Sequence, residues 1–298
     1  MELTISPAAL DFFRAALSAF GAGDPARAWS ECGRAAEMAP ESRVFAAAKR
    51  ALTRITAEGV RGVYVDGEAF GAFIRGGGNV ALYRAVSPAL QRAYAEHPGA
   101  RLLDVGVGDG LALLPALDHH ISLVTLVEPS APMLEITRAA LAERRVPHEA
   151  VAARLEDLAR DRPDARWDLA QATFSLQSIP RDARRPLLRW LRGATPHLLL
   201  VEFDVPSHDD PLEEAWIRHV VTRYERGLAE HEGDSGLVEQ GFLLPVMLGY
   251  FAPSARANDE QPISTWVEDL RQAGFSRVSS APIHDYWWAT AHLVDARA

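Results

Sequence analysis

Arg101-Leu-Leu-Asp104-Val-Gly106-Val-Gly108-Asp-Gly110-Leu-Ala-Leu-Leu114 decides the fold. An apolar run ends in Asp104, and glycines follow at alternate positions, 106, 108 and 110. The pattern predicts a strand entering a loop whose backbone comes very close to a ligand, with a helix start over Leu111–Leu117. Glycine permits φ > 0 and removes the Cβ atoms that would stand in a ligand's way. A carboxylate just ahead of the turn accepts hydrogen bonds from an amine or hydroxyls, which suits a nucleoside carrying a charged amino group better than a pyrophosphate.

Two nucleotide motifs are excluded by the spacing. A dinucleotide loop needs Gly-x-Gly-x-x-Gly, its third glycine letting helix and strand pack closely; here that position is Leu111. A P-loop needs Gly-Lys-Ser/Thr at its end, and none follows. Downstream, Ser122–Val127 is apolar and β-branched and closes in Glu128, where an acid at a second strand's end can take both ribose hydroxyls. Pro129 and Ser130 then turn into a helix over Pro132–Arg145, with Met133 near its start.

With these stretches in place, the chain from Arg101 to its C-terminus resembles the class I S-adenosylmethionine-dependent methyltransferases. Leu-Leu-Asp104-Val-Gly106-Val-Gly108-Asp-Gly110 is similar to that family's first motif, and Leu-Val-Glu128-Pro-Ser to its second. Trp167-Asp168-Leu169-Ala-Gln-Ala-Thr173-Phe174-Ser-Leu-Gln177-Ser-Ile-Pro180 resembles the fourth-strand motif, and His197–Val205 fits the fifth strand. The resemblance implies an α/β, doubly wound, Rossmann-like seven-stranded sheet with S-adenosyl-L-methionine as cofactor. By it, Asp104 and Gly106, Gly108 and Gly110 hold the methionine part, Glu128 holds the ribose, Pro129 is a further cofactor contact, Met133 packs on the adenine, and Thr173, Phe174 and Gln177 flank the methyl group. One motif departs from the pattern: after the third strand, His148–Ala153, the expected acceptor position is Arg154, which can only donate. Glu156, Asp157 or a backbone group at Leu155 is left to meet the adenine.

The ends of the chain add a helical extension and an insertion. Residues 7–56 read as three short helices, with Asp24 and Ser42 as N-caps and Pro25 at a first helical position. Residues 1–75 are expected to form a helical cap or a homodimer contact; the helices within 7–56 resemble one tetratricopeptide-type helix pair, too little to stack into a solenoid. The methyltransferase domain is expected over 76–298, with an insertion at about 206–262. Ahead of the first strand, Phe70–Arg84 combines aromatics with Gly76-Gly77-Gly78. By the resemblance, Arg75 and Tyr83 are candidate cofactor contacts and Asn79 a substrate contact, the glycines serving a lid; a linker leading into a helix over Leu82–His97 is the other reading.

Methyl transfer from a sulfonium asks mainly for alignment and exclusion of water. Oxygen and carbon nucleophiles also need a base or a metal, whereas an amine needs a free lone pair and acceptors that orient it. The stretch Val201-Glu202-Phe203-Asp204-Val205-Pro206-Ser207-His208-Asp209-Asp210 places acids at the expected acceptor mouth. Glu202, Asp204 and Gln177 are therefore the catalytic candidates, with His208 and Tyr250 at the substrate. Asp209 and Asp210 read as caps of a helix over Pro211–Leu228. His208, Asp209, His284, Asp285 and His292 have no close metal-ligand spacing, so no metal is expected. Near the end, a helix over Ser264–Ala273 precedes strands at Val278–Ile283 and Trp287–Val294, the latter fitting an antiparallel seventh strand.

Composition sets the outer limits. Of 298 residues, 48% are hydrophobic and 24% charged, ordinary for a globular enzyme with a substantial core. A net charge of −9 argues against nucleic acid as main partner. No run of 18 apolar residues would span a membrane, the start lacks a signal peptide's basic and apolar regions, and a lone Cys32 fits a cytoplasmic protein. A small-molecule methyl acceptor is expected, with N-methylation of an amine or guanidino group favoured by the acids around Glu202. Alternatives are an O- or C-methyltransferase of secondary metabolism, a non-catalytic S-adenosylmethionine-binding protein, and a helical scaffold acting through residues 1–56.

Overall fold

In the computed structural model, residues 5–59, 67–231, 233, 236–252 and 258–298 are described. Those parts of the expected cap and insertion that fall on residues 1–4, 60–66, 232, 234, 235 and 253–257 lie outside them. In chain order the elements are α1 (Pro7–Gly21), α2 (Pro25–Met38), α3 (Arg43–Glu58), α4 (Gly67–Arg75), α5 (Asn79–Tyr94), β1 (Ala100–Val105), α6 (Leu113–Ala116), β2 (Ile121–Val127), α7 (Ala131–Glu143), β3 (His148–Val151), α8 (Leu155–Asp161), β4 (Leu169–Thr173), α9 (Arg181–Ala194), β5 (His197–Phe203), α10 (Glu214–Ala229), α11 (Leu244–Gly249), α12 (Ile263–Gln272), β6 (Arg277–Asp285) and β7 (Thr290–Arg297). They divide into two compact units: Met1–Val80 with Ser207–Ala257, and Ala81–Pro206 with Asn258–Ala298.

The second unit is built on a seven-stranded sheet of order β3-β2-β1-β4-β5-β7-β6. Strands β1 to β5 are parallel, and β7 runs antiparallel to β5 and β6. β5 is buried along its whole length, as a central strand covered on both faces must be. Helices α8, α9 and α12 cover one face, where Leu103, Val105, Ala170, Leu198 and Leu200 meet Leu158, Leu188, Leu191, Trp266 and Leu270. The strand order reverses between β1 and β4, and in such sheets the crevice outside the carboxyl ends at that point is where ligands sit.

Two sequence-predicted elements differ here. The helix expected over Leu111–Leu117 is the single turn α6, because the chain is still turning at Gly110, with φ +81°, before Leu114 N–H reaches the Gly110 carbonyl. The last strand begins at Thr290 rather than Trp287. Tyr286, Trp287 and Trp288 are buried in the β6–β7 connection, each ring against the next, and that packing replaces strand pairing.

In the helical unit the expected caps Asp24 and Ser42 accept from the N–H groups of Arg27 and Phe45, and Ser6 does the same for Ala9. The Ser42 hydroxyl also donates to Glu225 of α10 (2.6 Å), which takes the Val44 N–H as well (3.0 Å). The triple glycine has a packing reason. A Cβ on Gly77 (φ +50°) would lie 2.7 Å from His231 Nε2, and Gly78 N–H donates to Glu230 Oε2 (2.9 Å). His231 is half-buried, its ring 5.7 Å from that of Phe73. Asp210, expected to cap a helix from Pro211, instead closes a turn on Leu212 N–H (2.8 Å), and α10 begins at Glu214.

Candidate functional site

The glycine loop is tied down from both sides. Gly106 N–H donates to the Val127 carbonyl (2.8 Å), and the Ser175 hydroxyl donates to the carbonyl of Val105 (2.7 Å). Gly106 has φ +68°, and a Cβ there would overlap Ser175 Cβ. Gly110 is confined by Leu114 and Thr137, and the buried Thr137 hydroxyl donates to the Gly108 carbonyl (2.8 Å). Gly108 differs. Its φ is +57°, yet a Cβ on it would meet nothing within 4 Å. Two glycines of the loop are thus demanded by packing, and the third borders open space.

Glu128 continues directly from β2. Its Oε2 accepts from Gly108 N–H (3.0 Å) and its Oε1 from Ser130 N–H (2.8 Å). A carboxylate has about four lone-pair sites, so each oxygen keeps one for a ligand hydroxyl. Asp104 is buried; its Oδ2 accepts from Gln171 Nε2 (2.8 Å). Burial pushes its pKa up to about 7, against the Gln171 hydrogen bond, and the charge of Glu128 adds to the rise. The residues fit S-adenosylmethionine: an acceptor for the ammonium, paired acceptors for the ribose, and a loop with room beside Gly108.

The remaining cofactor candidates fall as follows. Pro129 is exposed and Met133 half-buried near the start of α7. The side chain of Leu155 belongs to the core, which leaves only its backbone to a ligand. Glu156 is half-buried in the first turn of α8, and Arg154 precedes that helix, exposed. Tyr83 on α5 is half-buried, its ring edge-on to Phe174 (6.3 Å). Burial and the charge of Asp109 push the Tyr83 hydroxyl well above its ordinary pKa.

A second cluster occupies the carboxyl ends of β4 and β5. Phe174 adopts φ +51°, a left-handed conformation that a bulky side chain rarely takes. It is held there by its N–H on the Val201 carbonyl (2.8 Å) and by stacking on Phe203 (4.4 Å, 15°), which stacks in turn on Tyr286 (5.3 Å, 17°). Gln177 lies in the short 3₁₀ turn Leu176–Ser178; its N–H donates to Glu202 Oε1 (3.2 Å) and its side-chain amide to the Phe174 carbonyl (3.3 Å). Among the described residues, Glu202 Oε2, Gln177 Oε1 and Thr173 Oγ1 are buried without hydrogen-bond partners. Such orphaned atoms are uncommon and call for an explanation. Burial pushes the Glu202 pKa up to about 8, opposed mainly by the Arg184 guanidinium.

The other expected residues have the following partners. Asp204 is exposed, and its Oδ1 accepts from Ile263 N–H (2.8 Å), capping α12. Arg75, Asn79, His208 and Tyr250 belong to the helical unit. There Arg75 is exposed and reaches the Gly71 carbonyl (3.3 Å), while Asn79 donates to the Phe73 carbonyl (2.8 Å). His208 packs on Trp216 (4.3 Å), and Tyr250 is edge-on to the same ring (6.3 Å). Asp118, His119 and His120 bring three donor atoms within 4.8 Å of one another, at the amino end of β2 and so opposite Glu128. No described helix is long and apolar enough to cross a membrane.

Sequence reading missed Arg184, which is fully buried. It donates to the carbonyls of Leu176 (3.1 Å), Ile179 (3.1 Å) and Asp259 (3.2 Å) and to Gln261 Oε1 (2.7 Å), its guanidinium 3.9 Å from the Trp266 ring. The signal was present: Arg184 falls on the apolar stripe with Leu187, Leu188 and Leu191.

Residues 102–195 match a family described as a methyltransferase domain. The chain is similar in structure to magnesium protoporphyrin IX methyltransferase from Synechocystis PCC 6803 with bound S-adenosylhomocysteine (16% identity, 74% of this chain and 84% of that one, TM-score 0.49). It is also similar to 1,6-didemethyltoxoflavin-N1-methyltransferase from Burkholderia thailandensis, with S-adenosylhomocysteine and 1,6-didemethyltoxoflavin bound (18% identity, 86% and 89% covered, TM-score 0.49). A third is an O-methyltransferase family protein from Burkholderia thailandensis (15% identity, 73% and 56% covered, TM-score 0.49). No curated relative matches.

Proposed function

We propose that this chain, a class I S-adenosylmethionine-dependent methyltransferase, methylates a small molecule at an amine or guanidino nitrogen. The observation that carries the acceptor reading is Glu202: a buried carboxyl with Oε2 unpartnered, its Oε1 accepting the N–H of Gln177, whose side-chain Oε1 is unpartnered as well. When bound, S-adenosylmethionine supplies an electrophilic methyl group and leaves as an uncharged thioether.

The chain's own groups then have two tasks. Asp104 takes the cofactor's ammonium, and Glu128, pinned by Gly108 and Ser130, takes the ribose hydroxyls on its remaining lone pairs. At the acceptor end, an ammonium beside an ordinary carboxylate would keep its proton and offer no lone pair. Glu202, with its pKa pushed up to about 8, is a stronger base than an ordinary carboxylate, and its ionised form takes the N–H proton that the nitrogen sheds as the N–methyl bond forms and the methyl–sulfur bond breaks. Gln177 Oε1 supplies an acceptor for a remaining N–H group.

The test is incubation with labelled S-adenosylmethionine and a panel of amines, guanidines, phenols and keto acids. Label on the amines or guanidines supports the proposal. Label confined to phenols or keto acids overturns the choice of nitrogen and leaves an O- or C-methyltransferase. Tight S-adenosylhomocysteine binding with no acceptor labelled would favour a cofactor-binding protein without turnover.

A further inference from the structure

Behind Asp104 the core holds a polar chain that the sheet does not require. Asp104 on β1 and Gln171 on β4 are register partners, so their side chains leave the sheet on the same face. Gln171 Nε2 donates to Asp104 Oδ2 (2.8 Å), and the hydroxyl of Tyr94, the last residue of α5, donates to Gln171 Oε1. Tyr94 and Gln171 are fully buried and Asp104 nearly so. β4 reads Leu-Ala-Gln-Ala-Thr, and an apolar residue at 171 would fill the same place without desolvating an amide.

The chain has a direction. An ionised carboxylate can only accept, so the amide end that faces Asp104 is the N–H, and the Tyr94 hydroxyl donates to the oxygen at the other end. The amide's N–H is thereby turned onto Asp104, and one carboxylate oxygen is held while the other stays available. We propose that Tyr94 and Gln171 are positioning residues for cofactor binding, orienting the Asp104 carboxylate towards the ammonium of the cofactor's methionine part. This rests on Asp104 being the acceptor of that ammonium.

The pair also sets the pH at which Asp104 becomes an anion. Burial and the charge of Glu128 raise its pKa to about 7, and the Gln171 hydrogen bond works against them. Losing that bond moves the ionisation upward, so cofactor affinity should need a higher pH.

The experiment is calorimetric titration of S-adenosylhomocysteine from pH 6 to 9 on the full chain and on Tyr94→Phe, Gln171→Leu and Asp104→Asn. Near pH 7 the first two should bind about three- to tenfold more weakly, the size of one lost hydrogen bond. The pH midpoint of binding should move up, and the deficit should shrink by pH 9. A merely structural role would lower the melting temperature and leave that midpoint in place. If Tyr94→Phe, which removes a single oxygen, keeps both the affinity and the midpoint, the relay is overturned whether or not Gln171→Leu folds. If Asp104→Asn binds like the parent at every pH, the reading of Asp104 itself falls; loss in Asp104→Asn alone would sink only the relay.

Discussion

The Gly108 N–H donates to Glu128 Oε2 at 3.0 Å, so the loop after β1 and the acid after β2 are one assembly before any ligand arrives. Ser130 N–H holds the other oxygen at 2.8 Å. Glu128→Gln puts an amide NH₂ where one of these backbone donors now finds an acceptor. Hydrogen bonds to charged groups contribute about 1.5–3 kcal/mol, so S-adenosylhomocysteine affinity should fall roughly 10- to 100-fold. Calorimetry checks this; affinity within twofold of the parent would remove Glu128 from the ribose site.

Gly106 and Gly108 should separate packing from ligand contact. Both have φ > 0, and an alanine in that conformation costs about 1–2 kcal/mol. At Gly106 the new methyl also collides with Ser175 Cβ, and overpacking adds about 1–3 kcal/mol. Gly106→Ala should therefore lower the melting temperature clearly more than Gly108→Ala. Gly108→Ala has room for its methyl in the protein alone, yet should weaken S-adenosylhomocysteine binding by about tenfold or more, on the order of 1.4 kcal/mol. Unchanged binding would mean that the space beside Gly108 is not the cofactor's.

Glu202 should show in both rate and stability. Removing a general acid–base group typically costs about 10²–10⁴ in rate, so Glu202→Gln should lose turnover to that extent while S-adenosylhomocysteine binds as before. The stability sign follows from a folded pKa of about 8 above a starting value of 4.5. Ionising Glu202 is disfavoured in the folded state, so its contribution to stability is lost as pH rises from 4.5 through 8. Asp104, raised from 3.8 to about 7, acts in the same direction. Melting temperature should thus decline between pH 5 and 8, and Glu202→Gln should flatten the upper part of that decline. An unchanged slope would show that Glu202 does not carry the buried proton.

What the sequence revealed and hid follows from the range of the interactions. Asp104, the glycines, Glu128 and the succession of apolar strands were legible because turn geometry and strand burial are local. Gly106 was legible as a glycine but not for its cause, since Ser175 lies on another strand's loop. The relay through Gln171 and the burial of Arg184 appeared only as polar letters within apolar patterns, whose partners come from α5 and from residues 259–261. The glycine run at 76–78 was legible as glycine but not for its packing, because nothing nearby in sequence announces Glu230 and His231.

Asp204 sharpens the contrast with Glu202. Two residues apart on one strand, they looked like a pair of carboxylates gripping one cation. Glu202 is buried with an unpartnered oxygen, whereas Asp204 is exposed and accepts the Ile263 N–H at the start of α12. That helix contributes Trp266 and Leu270 to the sheet's core, so fixing its first turn matters for folding. Losing an N-terminal cap costs about 0.5–2 kcal/mol, and Asp204→Ala should show a drop of that size in urea unfolding, while Asp204→Asn, which keeps an accepting oxygen, should recover most of it. Turnover on the labelled acceptor should stay within a few-fold of the parent in both variants. A collapse of kcat in Asp204→Ala with the fold intact would return Asp204 to the acceptor site beside Glu202.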